Sequence, residues 1–328
     1  MYLITGGAGF IGSNIAAAIE QTLDAPVVIC DRLRDGVKWR NIAKRDLVDI
    51  IHPDVLFDWL DVRGKDLSGI IHMGAISATT ETDADKIVKN NFRLSLDLWE
   101  WAAEADVPLI YASSAATYGD GEQGFDDNAD RAHLAGLQPL NAYGWSKHLF
   151  DRRIMRLLSD GGKAPPQWAG LKFFNVYGPN EYHKGGQKSV VAHLYPQISE
   201  KGQARLFQSH HPDYEDGGQL RDFVWVGDCA NVVIWLLMNK GVSGLFNVGT
   251  GKAESFNALA GGVFQALGKE VAIDYVPTPE AIRDKYQYYT QADMSRLYAA
   301  GYNQPFTPLG EGVGRYVTDY LRKDDPFV

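Results

Sequence analysis

Short apolar runs alternate with segments of helical periodicity through the first half of the chain. The runs have the continuous apolar pattern of strands buried on both faces of a sheet, and they lie at residues 2–4, 27–30, 68–73, 107–112 and 171–176. Helices are predicted between them, most clearly at residues 13–21 and 83–104 and around Tyr143. Strands that alternate with helices predict an α/β fold, a doubly wound parallel sheet with right-handed crossovers.

The second half of the chain is less regular. Helices are predicted at 189–200, 229–238, 256–267, 294–300 and 309–321, and strands at 205–208, 221–228, 245–248 and 271–276. Polar segments at 120–138, 180–186 and 209–218 are predicted as loops. This change favours a smaller C-terminal lobe over the carboxyl ends of the main sheet, where such folds bind ligands. We expect residues 1–176 and 222–252 to form the nucleotide-binding domain, and 177–221 and 253–328 the smaller substrate-binding lobe.

Composition and charge narrow the class of function. The 328 residues carry a formal net charge of −9, which argues against general binding to nucleic acid, so any phosphate site must be local. The first residues lack a signal-peptide pattern and no apolar run reaches the length of a membrane span, so we expect a soluble, cytoplasmic protein without a membrane partner. Cys30 and Cys229 are too few for a disulfide framework and are expected to be reduced and structural.

A glycine-rich turn follows the first predicted strand and opens the first predicted helix. Gly6, Gly9 and Gly12 have the spacing that allows a tight turn, close approach of the backbone to a pyrophosphate, and close packing of helix on strand. The alternative is a glycine turn with no ligand. Asp31 ends the second strand, nineteen residues after Gly12, where an acidic side chain can bind the adenosine ribose.

Two cations follow that acidic residue. Arg32 and Lys38 are placed to neutralise a 2′-phosphate, which favours NADP over NAD, with NAD as the alternative. A pair of solvated surface charges is the competing interpretation, since most lysines and arginines are exposed.

Tyr143 and Lys147 are four positions apart on a predicted helix, so both side chains lie on one face. We expect the ammonium group to lower the pKa of the phenol and to make it a proton donor and acceptor for an alcohol. The pair alone is weak evidence, because this spacing is common by chance. Ser114, just past a central strand, is placed to share a substrate oxygen with Tyr143, unless it only satisfies backbone groups of its own turn.

Other polar residues give weaker indications of a cofactor contact or a metal site. One of Asn90 and Asn91 is expected to hold backbone near a cofactor, or else to be a helix-surface amide. His210 and His211 lie in a polar loop without the spacing that brings metal ligands together, so no metal site is expected.

Several motifs in a fixed order resemble the extended short-chain dehydrogenase/reductase family. They are the glycine turn, Ser113-Ser114, Tyr143-x-x-x-Lys147, and the segments Asn175-Val-Tyr-Gly-Pro179 and Arg221-Asp-Phe-Val, which are similar to its nucleotide-sugar branch. The resemblance implies a Rossmann domain, a nicotinamide cofactor and a nucleotide-sugar substrate.

Further segments resemble the members of this branch that epimerise C6 of ADP-activated heptoses, namely 111–119, 174–185, 250–256 and 289–293. This implies a bacterial isomerase that makes the heptose precursor of lipopolysaccharide core, with tightly held NADP, and a homo-oligomer, a pentamer in these relatives. Two departures concern substrate contacts. Gly186 stands where these proteins often have a hydroxyl, and the loop 209–218 is longer than usual.

The resemblance also assigns residues to roles. The catalytic residues would be Tyr143, Lys184, Lys147 and Ser114. The cofactor-binding residues would be Gly6, Gly9, Phe10, Ile11, Gly12, Asp31, Arg32, Lys38, Met73, Gly74, Ala75, Ile76, Ser77, Asn90, Lys147 and Val176. The substrate-binding residues would be Ser114, Asn175, Lys184, Gly186, His193, Phe207, Gln208, Ser209, Arg221 and Tyr286.

A secondary alcohol carbon is inverted by oxidation to a ketone and return of hydride to its other face, after which the oxygen points elsewhere. We therefore expect Tyr143 to serve one configuration and Lys184 the other, unless Lys184 is a diphosphate-binding cation. Two alternatives remain, another nucleotide-sugar epimerase or dehydratase such as a UDP-sugar 4-epimerase, and a non-catalytic cofactor sensor. His183-Lys184-Gly185 argues against the first, and the presence of both Tyr143 and Lys147 argues against the second.

Overall fold

The computed structural model describes residues 1–283 and 287–328. The strands within these residues are β1 Tyr2–Thr5, β2 Val27–Cys30, β3 Leu47–Ile51, β4 Gly69–His72, β5 Leu109–Ser114, β6 Trp168–Phe173, β7 Asn175–Tyr177, β8 Ala204–Phe207, β9 Leu220–Trp225, β10 Gly244–Val248, β11 Ala253–Ser255 and β12 Ile273–Val276.

Most of the predicted helices are present, whereas the helices at residues 56–63, 131–136 and 280–283 were not predicted. The observed helices follow in chain order. They are α1 Phe10–Leu23, α2 Leu56–Arg63, α3 Ala84–Ile87, α4 Leu94–Glu104, α5 Arg131–Gly136, α6 Ala142–Ser159, α7 Val190–Lys201, α8 Val226–Met238, α9 Phe256–Leu267, α10 Glu280–Arg283, α11 Ser295–Ala299 and α12 Leu309–Arg315. None of the helices in the described ranges is long and apolar enough to cross a membrane.

A seven-stranded parallel sheet organises the fold, in the order β10-β6-β5-β4-β1-β2-β3. The chain builds outward from β1 in one direction through β2 and β3, and in the other through β4, β5 and β6. The order therefore reverses between β1 and β4, and a crevice at the carboxyl ends of these strands is where doubly wound sheets bind ligands. The predicted fold class is confirmed.

Two separate hydrophobic clusters lie within the described residues. The larger one covers both faces of the main sheet and includes the buried free thiols of Cys30 and Cys229. The smaller one joins α7, α9 and α12 to a three-stranded sheet, β11-β9-β7, and to the pair β12-β8. The domain boundaries expected from the sequence stay a prediction.

Several predicted elements were wrong in detail. Strand β3 was missed, because it is an edge strand whose residues alternate between partly buried and exposed and so lack a continuous apolar run. The predicted strand at 171–176 is divided between β6 and β7, which belong to different sheets. The predicted strand at 221–228 ends at Trp225, where α8 takes over.

Two polar segments that were predicted as loops contain helical turns. The loop at 120–138 contains α5, and the loop at 180–186 contains a 3-10 helix, Tyr182–Gln187. The helix predicted at 83–104 is continuous, but its middle segment, Val88–Arg93, is π-helical. Such segments are rare and often occur at functional sites. This one faces the crevice described below.

Candidate active site

A groove of about 1640 Å³ runs along the carboxyl ends of β1, β2, β4 and β5. All residues of the predicted cofactor set line it, from the glycine turn at one side to Val176 at the other. The four predicted catalytic residues, Ser114, Tyr143, Lys147 and Lys184, also line it. The fold thus brings together two sets of residues that are far apart in sequence, although their binding roles stay a prediction.

The glycine turn passes very close to the loop after β4. Gly6 has φ +65°, and a Cβ atom there would lie 2.6 Å from the Gly74 backbone, so only glycine fits without strain. Helix α1 begins at Phe10, and Gly9 at its N-cap offers no side chain to the first backbone N–H groups. An open N-terminus of a fourteen-residue helix, at the edge of a large groove, suits the pyrophosphate of a dinucleotide.

The end of β2 carries an acidic residue and two cations. The Asp31 carboxylate accepts the Ala8 N–H at 2.9 Å and the Lys38 ammonium at 2.5 Å. Lys38 also donates to the Arg32 carbonyl at 3.2 Å, and Arg32 pairs with the exposed Asp54 at 2.6 Å. Both cations line the groove, Lys38 paired with the Asp31 carboxylate and Arg32 with Asp54.

A buried polar network holds the loop after β4. The Gly74 N–H donates to the Thr5 hydroxyl, which lies 2.6 Å from His72 Nδ1, and His72 Nε2 lies 2.8 Å from the Ser95 hydroxyl. Because Ser95 uses its own hydrogen on the Asn91 carbonyl, His72 donates from Nε2 and accepts the Thr5 hydroxyl at Nδ1. Burial, aided by the charge of Lys147, lowers the pKa of His72 to about 3.

Asn91, rather than Asn90, holds the backbone of this loop. Its side chain accepts the Ile76 N–H at 2.8 Å and donates to the Ile76 carbonyl and the Ser146 hydroxyl, each at 3.0 Å. Ser146 in turn donates to the Tyr143 carbonyl at 2.7 Å, so the network reaches α6. Asn90 lines the groove and donates to the Lys86 carbonyl. The sequence left both asparagines open for holding backbone, and the structure gives that contact to Asn91, although Asn90 was the one named in the cofactor set. His72 was missed, and a histidine in the buried run 68–73 was a signal.

Helix α6 carries Tyr143 and Lys147 into the groove. Asn141 caps the helix by accepting the Gly144 N–H at 2.8 Å. The Lys147 ammonium is almost fully buried and donates to the Ala112 carbonyl of β5 at 2.7 Å. Burial lowers the pKa of Lys147 to about 8, and the nearby carboxylate of Asp151 opposes this effect.

The expectation of a lowered Tyr143 pKa was wrong for the protein alone. Burial raises the pKa of the phenol, while a hydrogen bond with Ser114 acts in the opposite direction. The physical reason is the loss of solvent around the buried phenol, and the Lys147 ammonium donates to the Ala112 carbonyl instead. Tyr143 is thus a neutral phenol, with Ser114 beside it.

Lys184 lies on the 3-10 helix Tyr182–Gln187, across the groove from β5. Its ammonium is 5.1 Å from the centre of the Phe10 ring, and burial lowers its pKa while Glu181 opposes the shift. Asn41 anchors this segment to the glycine turn, since its amide donates to the carbonyls of Ala8 and Asn180, each at 2.9 Å. A cation at the first residue of α1 is compatible with both expected roles, a proton carrier or a diphosphate ligand.

The predicted substrate residues divide into two groups. Ser114, Lys184 and Gly186 line the groove, whereas Asn175, His193, Phe207, Gln208, Ser209 and Arg221 are not part of its lining. Tyr286 lies outside the described residues.

Some of the residues beyond the lining have defined contacts in the smaller lobe. Arg221 is mostly buried and donates to the carbonyls of Leu220, at 2.8 Å, and Gln287. His193 Nε2 lies 3.3 Å from the Gly186 carbonyl, which places it one contact away from the groove.

The loop at 209–218 packs two of its rings against Tyr288. His211, Tyr214 and Tyr288 form a mutual cluster with ring centres 5.2 to 5.4 Å apart. In the part of the chain that the structure describes, no group of histidine, cysteine and acidic residues is arranged to hold a metal ion.

Comparison with known proteins supports the assignment of the groove to a nicotinamide cofactor. The sequence profile of the NAD dependent epimerase/dehydratase family matches residues 2–249. The chain is 49% identical to the ADP-L-glycero-D-manno-heptose-6-epimerase of Nitratidesulfovibrio vulgaris, with 100% of both chains covered. It is 43% identical to the protein of the same name from Fusobacterium nucleatum, again with 100% of both covered.

A solved structure agrees with these relatives. The crystal structure of ADP-L-glycero-D-manno-heptose-6-epimerase from Helicobacter pylori has a TM-score of 0.79 and 29% identity, and the match covers 97% of this chain and 95% of the other. The resemblance inferred from the motifs is thereby confirmed. With its parallel sheet, its glycine turn and its full-length relatives, the chain belongs to the NAD dependent epimerase/dehydratase family and is an isomerase of the epimerase type that uses a nicotinamide cofactor.

Proposed function

We propose that the protein interconverts ADP-D-glycero-β-D-manno-heptose and its L-glycero epimer at C6, in the synthesis of a lipopolysaccharide core precursor. The full-length relatives of that name support the substrate. The observation that carries the chemistry is the placement of Ser114, Tyr143, Lys147 and Lys184 on one groove with the dinucleotide-binding turn.

The reaction needs a hydroxyl to lose a proton and later regain one at the same oxygen. A bound nicotinamide supplies the transient oxidation of C6 to a ketone and its reversal, so that net redox is zero. The ketone turns its other face before it is reduced, and its oxygen then points in a different direction. One fixed proton carrier does not reach both positions, because proton transfer requires hydrogen-bond distance.

Tyr143 and Lys184 are the two groups that we assign to these positions. Tyr143 is a neutral phenol beside Ser114, and Lys184 is a half-buried amine whose lowered pKa eases loss of a proton. Tyr143→Phe and Lys184→Met should each lower kcat by about 10²-fold or more and leave the fold intact. This is the rate contribution that is typical of general acid–base catalysis. Gln187→Met, at the edge of the same groove, is the matched control.

The kinetic constants separate the two roles of Lys184. If Lys184 carries a proton, Lys184→Met lowers kcat with little change in KM. A Lys184→Met enzyme that keeps its kcat but has a raised KM would show that Lys184 binds the diphosphate instead.

NADP is our proposal for the cofactor. Lys38 and Arg32 lie at the end of β2, and the Asp31 carboxylate is already engaged by the Ala8 N–H and by Lys38. A 2′-phosphate would meet two cations there. Lys38→Met should weaken NADP binding more than NAD binding, by about tenfold in relative Kd, as measured by calorimetry on the cofactor-free protein. Equal loss for both cofactors would overturn this preference.

The reaction itself is tested without added cofactor. Pure protein incubated with ADP-D-glycero-heptose should produce the L-glycero epimer, detected by proton NMR. Failure on this substrate with turnover of a UDP-hexose would favour a 4-epimerase, and failure on both with a retained nicotinamide would favour a sensor. We also propose a homo-oligomer, a pentamer as the resemblance implies, which light scattering of the pure protein would test.

A further inference from the structure

A buried ion pair lies directly behind the strand that ends at Ser114. Asp151 of α6 and Lys172 of β6 have fully buried side chains, and their charged atoms are 2.9 Å apart. Neither residue lines the groove. Burying two charges costs several kcal/mol of desolvation, and such pairs often add nothing to stability. The pair therefore calls for a role other than holding the core together.

The Asp151 carboxylate accepts hydrogen bonds from two residues of β5, one on each side of Ala112. It accepts the Ser113 hydroxyl at 2.7 Å and the Tyr111 hydroxyl at 3.2 Å. Tyr111 and Ser113 flank Ala112, whose carbonyl accepts the Lys147 ammonium at 2.7 Å. The acceptor of Lys147 is thus held in place by hydrogen bonds on either side, and both of these end on Asp151.

Asp151 also acts on Lys147 from within the same helix. The two residues are four positions apart on α6 and so share a face. The negative charge of Asp151 favours the protonated amine and opposes the effect of burial on Lys147. Lys172 completes the arrangement, since it donates to Asp151 and, at 2.8 Å, to the Thr117 hydroxyl, which itself donates to the Ser114 carbonyl.

The histidines and tyrosines around this cluster are uncharged near neutral pH, while Arg152 acts on His148 from the same helix. His72 faces Lys147 from β4 with a pKa lowered to about 3, and His148 beside it on α6 has a pKa lowered to about 4. Both ring nitrogens of His148 lack a hydrogen-bond partner within the described residues. Tyr143 and Tyr118 are phenols whose pKa values are raised by burial.

Asp151, on the same helix, is the charged group that acts on Lys147, and Lys172 of β6 pairs with Asp151. Lys172 is also a cation, so only Asp151 can favour the protonated amine.

We propose that Asp151, itself held by Lys172, is a positioning residue that keeps Lys147 protonated and docked on the Ala112 carbonyl. Lys147 touches the groove and Asp151 does not, so Asp151 acts through Lys147. The inference rests on the proposed role of Lys147 in the reaction. It adds a buried element, with no contact to any ligand, that sets the pH range in which the site works.

The direct test is the titration of Lys147, which needs no turnover. The protein is labelled with ¹³C at the lysine Cε atoms, the Lys147 signal is assigned from Lys147→Arg, and its pKa is measured by NMR. In Asp151→Asn the pKa should fall by about one unit or more, because a neighbouring opposite charge is removed and Lys172 is left unpaired. The control is Asp228→Asn. Asp228 is a buried carboxylate on α8 that is bound to Thr307, and its replacement should leave the Lys147 pKa unchanged.

Because Asp151→Asn leaves a buried charge unpaired and could fail to fold, a second variant is also tested. Asp151→Asn with Lys172→Met leaves no unpaired buried charge, and because Asp151 is the group that acts on Lys147, the pKa should still fall. The basic limb of the kcat profile should move to lower pH by the same amount, with KM unchanged. A folded double variant in which Lys147 titrates as in the native protein would overturn the inference. A native protein without epimerase activity would instead overturn the proposed function, because the titration is read independently of turnover.

Discussion

His72 makes the stability of the protein depend on pH in a calculable way. The side chain is fully buried at the end of β4, between Thr5 and Ser95, and its pKa is lowered from 6.5 to about 3. The unfolded chain therefore binds a proton at His72 below about pH 6.5, whereas the folded chain does not until about pH 3. Stability that is fully present above pH 6.5 is lost as the pH falls through this window.

The size of this loss in the free energy of unfolding follows from the difference between the two pKa values of His72. Each pKa unit of difference between the two states corresponds to about 1.4 kcal/mol. At pH 5, about 1.5 units below the unfolded value, His72 should cost about 2 kcal/mol of the free energy of unfolding, and near pH 3 about 5 kcal/mol. The second figure is an upper limit, since local relaxation would admit water first.

Urea unfolding at pH 7.5 and pH 5.0 measures this effect. The comparison is between the native protein and His72→Asn, which removes the titrating group. His148 and His183, whose pKa values are lowered to about 4, contribute to the pH effect in both proteins and cancel. The native protein should lose about 2 kcal/mol more than the variant between the two pH values. An equal loss in both proteins would refute the assignment of a buried, neutral His72.

Two further substitutions test the groove. Gly6→Ala would place a Cβ atom against the Gly74 backbone at a positive φ, so the purified variant should retain no nicotinamide, as measured by absorbance of the cofactor released on denaturation. The control Gly261→Ala, in α9, places its Cβ in open space without a positive φ and should retain the cofactor. Asn91→Ala leaves the Ile76 N–H and carbonyl unpaired and should lower the free energy of unfolding by about 2 to 3 kcal/mol in urea. Full cofactor content in Gly6→Ala, or unchanged stability in Asn91→Ala, would contradict these contacts.

The strands that build the crevice were predictable because they are buried on both faces. β1, β2 and β4 appear in the sequence as continuous apolar runs next to small residues. β3 escaped prediction since it lies at the sheet edge and Asp49 interrupts its apolar positions. The glycine spacing located the turn because its physical requirement, a backbone without Cβ, appears directly in the sequence.

The details inside the site depend on three-dimensional contacts that no local pattern contains. Which of two adjacent asparagines faces the loop depends on how the helix packs in three dimensions, and Asn91 is the buried residue of its π-helical segment. The pKa of Tyr143 is raised by burial of the phenol, and the Lys147 ammonium donates to a backbone carbonyl on another element. The Asp151–Lys172 pair joins residues of α6 and β6 that only the folded sheet brings together.

The central claim is that C6 is oxidised and reduced within one active site, with hydride returned to the same carbon. The most direct measurement uses substrate deuterated at C6 in ordinary water, and unlabelled substrate in D₂O, with the product analysed by NMR and mass spectrometry. The L-glycero product should keep the deuterium of the labelled substrate and take up none from D₂O at C6. Loss of the label to solvent, or uptake of solvent deuterium at C6, would show a proton-abstraction mechanism and contradict the account.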